Sequence, residues 1–326
     1  MRVLVTGATG FVGQYLIDEL LNSGDYQVCA LTRVRSNDAV VDRLKRKGVH
    51  CIPGDVTDVL SVSATILESQ PDAIFNLAAQ SFVPASWHEP EATLRTNLNG
   101  TLNVLEMAKR HVPDCVVHVC GSSEEYGLVH EAEIPITESN PLRPRSPYGV
   151  SKIAADLLGY QYAQSFGMSV VRTRAFNHTG VGRGLAFVEA AIARQTAEIV
   201  LGKREQYSLG NTGAVRDYTD VRDTVRAYRL LVEAHNEGVI KNGDVFNICS
   251  GKGCPISRIV TIASECASIP EAKINRDADK MRPSDVPTLI GDASKLRIAI
   301  DWEPRFKIED TIKEMVGWQI TEVDRD

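Results

Sequence analysis

The sequence lacks the features that mark several large classes of protein. No apolar run approaches the roughly 18 residues that a membrane-spanning helix requires, and its first residues form no apolar segment with a small-residue cleavage site, as a secretory signal would. Basic residues are not in excess, since 36 lysines and arginines face 42 aspartates and glutamates, for a net charge of −6. This balance disfavours a dedicated nucleic-acid binder, and we expect a cytoplasmic protein.

Cysteine is present without the patterns of a disulfide framework or a metal site. The seven cysteines are odd in number and include no Cys-x-x-Cys pair, and neither they nor the histidines show the spacing of zinc ligands. Most lie in apolar runs, so we interpret them as reduced, buried thiols and predict no metal site. A chain of 326 residues that is 43% hydrophobic can bury a large core without such cross-links.

The first half of the chain alternates short β-branched runs with helical patterns. Arg2–Thr6 is typical of a buried strand, and apolar residues then recur at helical spacing up to Leu20. This alternation predicts an α/β fold with a doubly wound parallel (Rossmann) sheet that has helices on both faces. Further strands are predicted at Gln27–Leu31, Val49–Ile52, Ala73–Leu77, Val116–Cys120 and Ser169–Arg174.

The pattern changes after Asn177, where helical stripes are joined by loops rich in proline, arginine and aspartate. We expect a smaller, mostly helical C-terminal lobe on the carboxyl edge of the sheet, interleaved with the sheet domain. The predicted division gives 1–176 and 217–250 to the sheet domain, and 177–216 and 251–326 to the lobe. Helices are predicted at Phe187–Gly202, Val221–Ala234, Ser257–Ala267 and Glu309–Ile320, and a late strand at Asp244–Ile248.

A glycine-rich turn joins the first predicted strand to the first predicted helix. Its glycines allow a tight turn, close approach of a pyrophosphate and close helix packing, and the helix N-terminus offers N–H groups to phosphates. Glycines also make plain turns, but the strand before and the helix after favour dinucleotide binding. The predicted cofactor contacts in this turn are Gly7, Gly10, Phe11, Val12 and Gly13.

The end of the second predicted strand bears on which dinucleotide binds. An acidic residue there would bind the ribose 2′-hydroxyl of NAD, but Thr32 and Arg33 occupy these positions. Arginine suits a 2′-phosphate through charge-assisted hydrogen bonds, so we predict NADP(H), with NAD(H) as the alternative. The competing interpretation is that Arg33 and Arg35 belong to a solvated basic face.

Tyr148 and Lys152 are four residues apart on a helix predicted from Pro147 to about Phe166, so both face one side. A nearby lysine favours the phenolate and is expected to lower the tyrosine pKa toward neutrality. Such a tyrosine exchanges a proton with a carbonyl or alcohol while a nicotinamide exchanges the hydride. The pair therefore predicts a dehydrogenase or reductase.

A second set of polar residues follows the strand predicted at Val116–Cys120. Because strand carboxyl ends face the ligand crevice of an open α/β sheet, the Ser122 hydroxyl is placed to bond a reacting sugar oxygen, and an acid such as Glu124 to act as a base. The competing interpretation is a turn or helix cap for the serines and a solvated turn for the acids.

Taken together, the motifs of the N-terminal half resemble the extended short-chain dehydrogenase/reductase family. The resemblance implies a catalytic set of Ser122, Tyr148 and Lys152. It also implies that Asp55 and Val56 lie near the adenine, and that Leu77, Ala78, Ala79 and Gln80 lie along the nicotinamide side of the cofactor. The motifs are Thr6–Gly13, Gly54–Asp58, Asn76–Gln80, Asn97–Thr101 and Tyr148–Lys152.

The second half looks like the GDP-mannose-pathway branch of that family, which comprises GDP-mannose 4,6-dehydratases and GDP-4-keto-6-deoxymannose reductases. The matching stretches are Ala79–Val83, Pro144–Gly149, Phe176–His178, Leu209–Asn211, Ala214–Asp217 and Met281–Pro287.

A nucleoside-diphosphate sugar needs cations for its phosphates, and this lobe offers them. Arg216 and Arg282 are predicted to clamp the diphosphate, and Asp285 to accept hydrogen bonds from the ribose. Ser81 and Asn177 are predicted to contact the substrate. The alternative for the arginines is local salt bridges, Arg216 with Asp217 and Arg282 with Asp285, and His178 receives no role.

The two reactions of the branch make different demands on the site. A dehydratase oxidises C4, eliminates water across C5–C6 with a carboxylate base, and returns the hydride to C6; a reductase delivers one hydride to the C4 ketone. Glu124 stands where the dehydratases have their base, but Asn177–Gly182, Arg216–Asp223 and Asn247–Gly251 look more like the reductases.

We therefore predict NAD(P)H-dependent reduction to a GDP-6-deoxyhexose such as GDP-rhamnose, with the dehydratase as alternative. A nucleotide-sugar C4 epimerase or a non-catalytic nucleotide sensor is a further alternative, although a sensor would not need the Tyr148 and Lys152 pair. The resemblance suggests a homodimer or homotetramer.

Overall fold

The computed structural model describes residues 1–270, 272–280 and 286–325 and centres on a parallel sheet. The strands are β1 (Arg2–Thr6), β2 (Gln27–Thr32), β3 (His50–Pro53), β4 (Ala73–Asn76), β5 (Val116–Ser122), β6 (Val170–Ala175), β7 (Asn177–Thr179), β8 (Tyr207–Leu209), β9 (Val215–Asp220), β10 (Val245–Ile248), β11 (Gly253–Pro255), β12 (Ile274–Arg276) and β13 (Thr288–Leu289). Within the described ranges, seven of them form one sheet in the order β10-β6-β5-β4-β1-β2-β3, and every neighbouring pair is parallel. The predicted α/β class with a doubly wound parallel sheet is confirmed.

Helices cover both faces of this sheet. Successive strand residues point to opposite faces, and accordingly Val3 and Val5 join one apolar cluster while Leu4 joins another. The helices at Phe11–Ser23 and Val221–Asn236 contribute to the first cluster, and those at Val59–Ser69, Gly100–His111 and Pro147–Phe166 to the second. The helices are α1 (Phe11–Ser23), α2 (Asp38–Arg46), α3 (Val59–Ser69), α4 (Val83–His88), α5 (Pro90–Leu94), α6 (Gly100–His111), α7 (Pro147–Phe166), α8 (Val188–Val200), α9 (Val221–Asn236), α10 (Ile256–Cys266), α11 (Ser294–Ile300) and α12 (Ile308–Arg325).

A second layer stands over the carboxyl end of the sheet. Strand β9 pairs with β7, β11 and β13, and β8 pairs with β12. Helices α8, α10 and α12 close a third apolar cluster around these strands. Because β7 begins two residues after β6 ends, Asn177 and its β9 partner Tyr218 are held directly beyond the sheet.

The late strand predicted at 244–248 is β10, which returns to the main sheet beside β6. The seven cysteines all fall within the described residues and are free thiols. The prediction of burial holds only for Cys115 and Cys249, since Cys266 is exposed and the other four are partly buried. In the ranges that the structure describes, we find no helix with the length and hydropathy to cross a membrane. The division into two domains stays a prediction.

Candidate active site

One elongated cavity of about 1010 Å³ runs along the carboxyl ends of the sheet strands and up to the second layer. It reaches from the glycine turn after β1 to Arg216 on β9. The predicted site residues that line it are Gly7, Gly10, Phe11, Val12, Gly13, Arg33, Asp55, Val56, Leu77, Ala78, Ala79, Ser81, Ser122, Glu124, Tyr148, Lys152, Asn177 and Arg216. Arg282 and Asp285 lie outside the described residues.

The glycine turn leaves no room for side chains where the chain passes close to itself. Gly7 has a φ of +67°, and a Cβ there would lie 2.8 Å from the carbonyl carbon of Leu77. A Cβ on Gly13 would lie 2.7 Å from Cα of Ala8 and closer still to the Gly7 carbonyl oxygen. Among the described side chains none caps the N-terminus of α1 at Gly10. Its first N–H groups are therefore left for a ligand, which fits the pyrophosphate of a dinucleotide.

Charged residues of both signs line the cavity after β2 and β3, namely Arg33, Arg35 and Asp55. Thr32 is buried at the end of β2, whereas Arg33 and Arg35 follow it on the surface and line the cavity. Asp55 accepts hydrogen bonds from the backbone N–H and hydroxyl of Thr57 at 2.9 and 2.8 Å. Partial burial opposes ionisation of Asp55, but these hydrogen bonds and the two arginines hold its pKa below the usual value. The carboxylate is thus ionised and ready to accept hydrogen bonds.

Helix α7 carries Tyr148 and Lys152 to the middle of the cavity. The helix starts sharply because the Ser146 hydroxyl accepts from the Gly149 N–H at 3.0 Å. A Cβ on Gly149 would lie 2.7 Å from the Glu124 carbonyl oxygen, so the glycine lets the helix approach the turn after β5. Lys152 Nζ donates to the Cys120 carbonyl oxygen at 2.7 Å, which anchors the lysine between helix and strand.

The electrostatics of this pair differ from the sequence expectation. Burial raises the pKa of Tyr148, and although Lys152 and the nearby Ser122 hydroxyl lower it, burial contributes more, so the pKa lies above its usual value. Burial also lowers the pKa of Lys152 most strongly, yet Tyr148, Cys120 and Glu125 together raise it above the usual value. The expected shift of the tyrosine pKa toward neutrality is therefore not present, and the phenol stays protonated at neutral pH.

The two neighbouring glutamates after β5 have separate environments. Glu124 lies on a 3₁₀ turn at Ser123–Glu125 and lines the cavity with Ser122 and Tyr148. Glu125 is fully buried, accepts from the Ser122 backbone N–H at 2.8 Å, and forms an ion pair with Arg174. The alternative of a solvated acidic turn is therefore wrong for Glu125.

Among the predicted site residues that the structure describes, Gln80 is the one that does not line the cavity. Its side-chain amide donates to the Thr93 hydroxyl at 3.0 Å, and its amide oxygen accepts from the Phe82 N–H at 2.6 Å. Asn97 holds the Gln80 backbone from both sides and also donates to the Ser151 hydroxyl on α7. Gln80 thus shapes the loop that carries the cavity-lining Ala78 and Ala79.

The arginine and aspartate at the start of β9 do different things. Arg216 is 6% exposed, lines the cavity and donates to the backbone carbonyls of Val215 and Val286 at 2.9 and 2.8 Å. Asp217 is fully buried and accepts from the backbone N–H groups of Ser250, Gly251 and Gly291. Its carboxylate is therefore committed to fixing loops and not to a simple pair with Arg216.

Sequence reasoning missed Arg183, which lies between the two ends of the cavity. Its guanidinium stacks on Phe187 at 3.5 Å and on Phe11 at 5.0 Å and lies 3.6 Å from the Glu189 carboxylate. Burial lowers its pKa, although Glu189 opposes the shift. No sequence motif indicates that Arg183 lines the cavity, because a lone arginine between glycines is typical of any loop.

His178, left without a role by the sequence, also lines the cavity. Its Nδ1 lies 2.9 Å from the Phe176 carbonyl oxygen, which can only accept, so Nδ1 carries the proton. Burial, with Arg183 nearby, lowers its pKa to about 4, and the ring is therefore neutral.

A glycine turn after β1, a serine at the end of β5 and a Tyr-x-x-x-Lys helix beside it define an extended short-chain dehydrogenase/reductase. The chain belongs to the GDP-mannose 4,6-dehydratase family, whose model matches residues 4–315. It is thus an NAD(P)-dependent nucleotide-sugar enzyme, as the resemblance implied.

The chain is similar to relatives of both kinds in this branch, namely dehydratases and a reductase. It is 33% identical to the GDP-mannose 4,6-dehydratase of Yersinia enterocolitica, over 97% of this chain and 93% of that protein. It is 32% identical to the GDP-6-deoxy-D-mannose reductase of Pseudomonas aeruginosa, over 98% of this chain and 97% of that protein. The solved structure of RMD from Pseudomonas aeruginosa complexed with NADPH matches with a TM-score of 0.85 and 30% identity, over 98% of this chain and 99% of that one.

Proposed function

We propose that the protein reduces the C4 ketone of GDP-4-keto-6-deoxy-mannose with NAD(P)H to give a GDP-6-deoxyhexose such as GDP-rhamnose. The observation that carries the proposal is the meeting of Ser122, Tyr148 and Lys152 in a single cavity that also reaches Arg216. The continuity of the alignments favours reduction over dehydration. The reductase alignment covers 98% of this chain in 320 positions, almost without gaps, whereas the dehydratase alignment needs 348 positions to cover 97% of it.

The protonation state of Tyr148 suits a proton donor. Burial keeps its pKa above the usual value, so the phenol holds its proton until a ketone oxygen gains charge beside it. In this proposal Ser122 hydrogen-bonds that oxygen, and the Lys152 ammonium stabilises the phenolate that forms. The bound nicotinamide would supply the hydride.

NADP(H) is the proposed cofactor. Arg33 and Arg35 line the cavity directly after β2, where the 2′-position of the adenosine ribose falls in this fold. The side chain at the strand end, Thr32, is turned into the protein and carries no charge to repel a phosphate. NAD(H) is the alternative.

The proposed substrate is a GDP-sugar, bound across the second layer. Arg216 provides a buried cation at the cavity, and Asn177 and Ser81 line the same cavity. Arg282 and Asp285 stay predicted contacts of the diphosphate and ribose. A homodimer or homotetramer and a cytoplasmic location also stay predictions.

One observation favours GDP-mannose 4,6-dehydratase as a second candidate. Glu124 lines the cavity together with Tyr148 and Ser122, as a base for proton removal from C5 must. Glu125, the other acid of this turn, is buried and committed to Arg174. If elimination occurs, Glu124 is the carboxylate that serves it.

Cofactor absorbance separates the two reactions. We expect stoichiometric NAD(P)H oxidation when the purified protein receives GDP-4-keto-6-deoxy-mannose, and its absence would refute the reductase. Conversion of GDP-mannose to a keto sugar without net cofactor change would establish the dehydratase instead. Tyr148→Phe is expected to lower kcat about 100-fold or more in either case, whereas Glu124→Gln should stop elimination and largely spare reduction.

A further inference from the structure

Behind the catalytic residues lies a buried ionic chain that the proposed chemistry does not use. Asp156 on α7 accepts from Arg172 at 3.0 Å and from Arg174 at 2.7 Å, both on β6. Arg174 Nε in turn donates to Glu125 at 3.0 Å. The two carboxylates are fully buried, and the side chains of the arginines are 5–7% exposed.

The last link of this chain is a hydrogen bond to the backbone of a catalytic residue. Glu125 Oε1 accepts from the Ser122 N–H at 2.8 Å, while its Oε2 takes the Arg174 guanidinium. Gly121 makes this approach possible, because a Cβ there would collide with the Glu125 carboxylate and lie 2.5 Å from the Thr173 carbonyl oxygen. The carboxylate therefore fills a space that only a glycine leaves open.

The chain connects the two elements that carry the catalytic groups. Asp156 stands one helical turn after Lys152 and two turns after Tyr148 on α7, whereas Ser122 ends β5. We propose that Glu125 is a positioning residue, which fixes Ser122 relative to Tyr148 through Arg174 and Asp156. The proposal rests on the proposed function only in taking Ser122 and Tyr148 as the catalytic pair.

Removing Glu125 should shift the Tyr148 pKa in opposite directions under two explanations. In one, Glu125 acts only through its negative charge; in the other, it holds Ser122 in place. Burial and Asp156 raise the pKa of Glu125, but at the high pH where Tyr148 titrates Glu125 is ionised. If its loss only removed that negative charge, the pKa of Tyr148 would fall. If Ser122 moves away, the pKa of Tyr148 rises, because the nearby Ser122 hydroxyl lowers it in the wild-type protein. The titratable and charged groups facing Tyr148 are Lys152 on α7, Cys120 on β5, Glu124 on the following turn, Arg183 before α8 and Tyr228 on α9.

The first test is a double-mutant cycle on kcat with Glu125→Gln and Ser122→Ala. Glutamine keeps the size of the side chain but cannot hold both partners. We expect Glu125→Gln alone to lower kcat about ten- to 100-fold with little change in KM. In the Ser122→Ala background it should have almost no further effect, because the group it positions is gone. Multiplicative losses, or an unchanged kcat in Glu125→Gln, would overturn the proposal.

The second test needs no substrate, so it separates failure of this proposal from failure of the proposed function. The phenolate absorbance of Tyr148 is titrated as the difference between each protein and its Tyr148→Phe counterpart. We expect the Tyr148 pKa to be higher in Glu125→Gln than in wild type. A lower or equal pKa would contradict positioning.

Asp223→Asn is the matched control. Asp223 is a fully buried carboxylate that accepts from the Arg305 and Phe306 N–H groups and pairs with Arg226, away from the cavity lining. The Asp223→Asn variant should be less stable than wild type, but its effect on kcat should not depend on whether Ser122 is present. A loss of kcat equal to that of Glu125→Gln would contradict the proposal. If Glu125→Gln does not fold, Arg174→Lys breaks the same link and is judged by the same criteria.

Discussion

Replacing Gly13 by alanine tests the cofactor turn directly. The new Cβ would lie 2.7 Å from Cα and 2.9 Å from the carbonyl oxygen of Ala8, distances below 3.0 Å that real Cβ atoms essentially never show. The turn or helix α1 must therefore move, and overpacking of this kind costs about 1–3 kcal/mol. If the cost falls on the bound form, Kd for NADPH rises about five- to 150-fold.

The assay is a fluorescence titration of NADPH, with chemical unfolding measured in parallel. Gly317→Ala is the matched control, because Gly317 lies within α12 and, among the described residues, no atom outside the local helix backbone falls within 4 Å of a Cβ there. It should leave Kd unchanged and raise the free energy of unfolding by about 0.5–1 kcal/mol. The reasoning is refuted if Gly13→Ala keeps both the wild-type Kd and the wild-type stability.

Three further predictions concern the cofactor preference, pH and a loop anchor. Arg33→Ala should raise KM for NADPH about tenfold while KM for NADH changes little, since only NADPH loses a charge-assisted bond; equal changes would support the solvated-face interpretation. His118 and His178 have pKa values lowered by burial to about 3 and about 4, so the unfolded chain binds more protons below about pH 6.5. The free energy of unfolding should fall with falling pH by up to about 1.4 kcal/mol per pH unit for each histidine. Urea titrations at several pH values should show that this dependence on pH is weaker in His178→Gln. Asp217→Asn should cost about 1–3 kcal/mol of stability by weakening its bonds to three backbone N–H groups; an unchanged midpoint of unfolding would contradict this.

Local spacing in the sequence was enough to predict the parts of the site that lie on one element. Tyr148 and Lys152 share a helix face because they are four residues apart. The glycines of the first turn can be recognised from their spacing and from the strand that precedes them. The sheet was predictable for the same reason, since each strand has its own apolar run.

The sequence could not separate neighbours whose fate depends on distant partners. Glu124 and Glu125 are chemically identical and adjacent, yet only Glu125 meets Arg174, which comes from another strand. Likewise the hydrogen bond from Gln80 to Thr93 holds the Gln80 side chain away from the cavity. Burial raises the pKa of Tyr148 by more than Lys152 lowers it. These outcomes depend on long-range packing and desolvation, which no local pattern encodes.

The position of β10 at the sheet edge has a consequence for synthesis on the ribosome. Every residue of β6 is buried in the finished protein, but its outer partner β10 is about 70 residues further along the chain. At roughly 5–20 residues per second, the nascent chain therefore leaves one edge of β6 unpaired for several seconds or longer. Such an edge pairs readily with other chains, so this interval is when a chaperone would be most valuable to the protein.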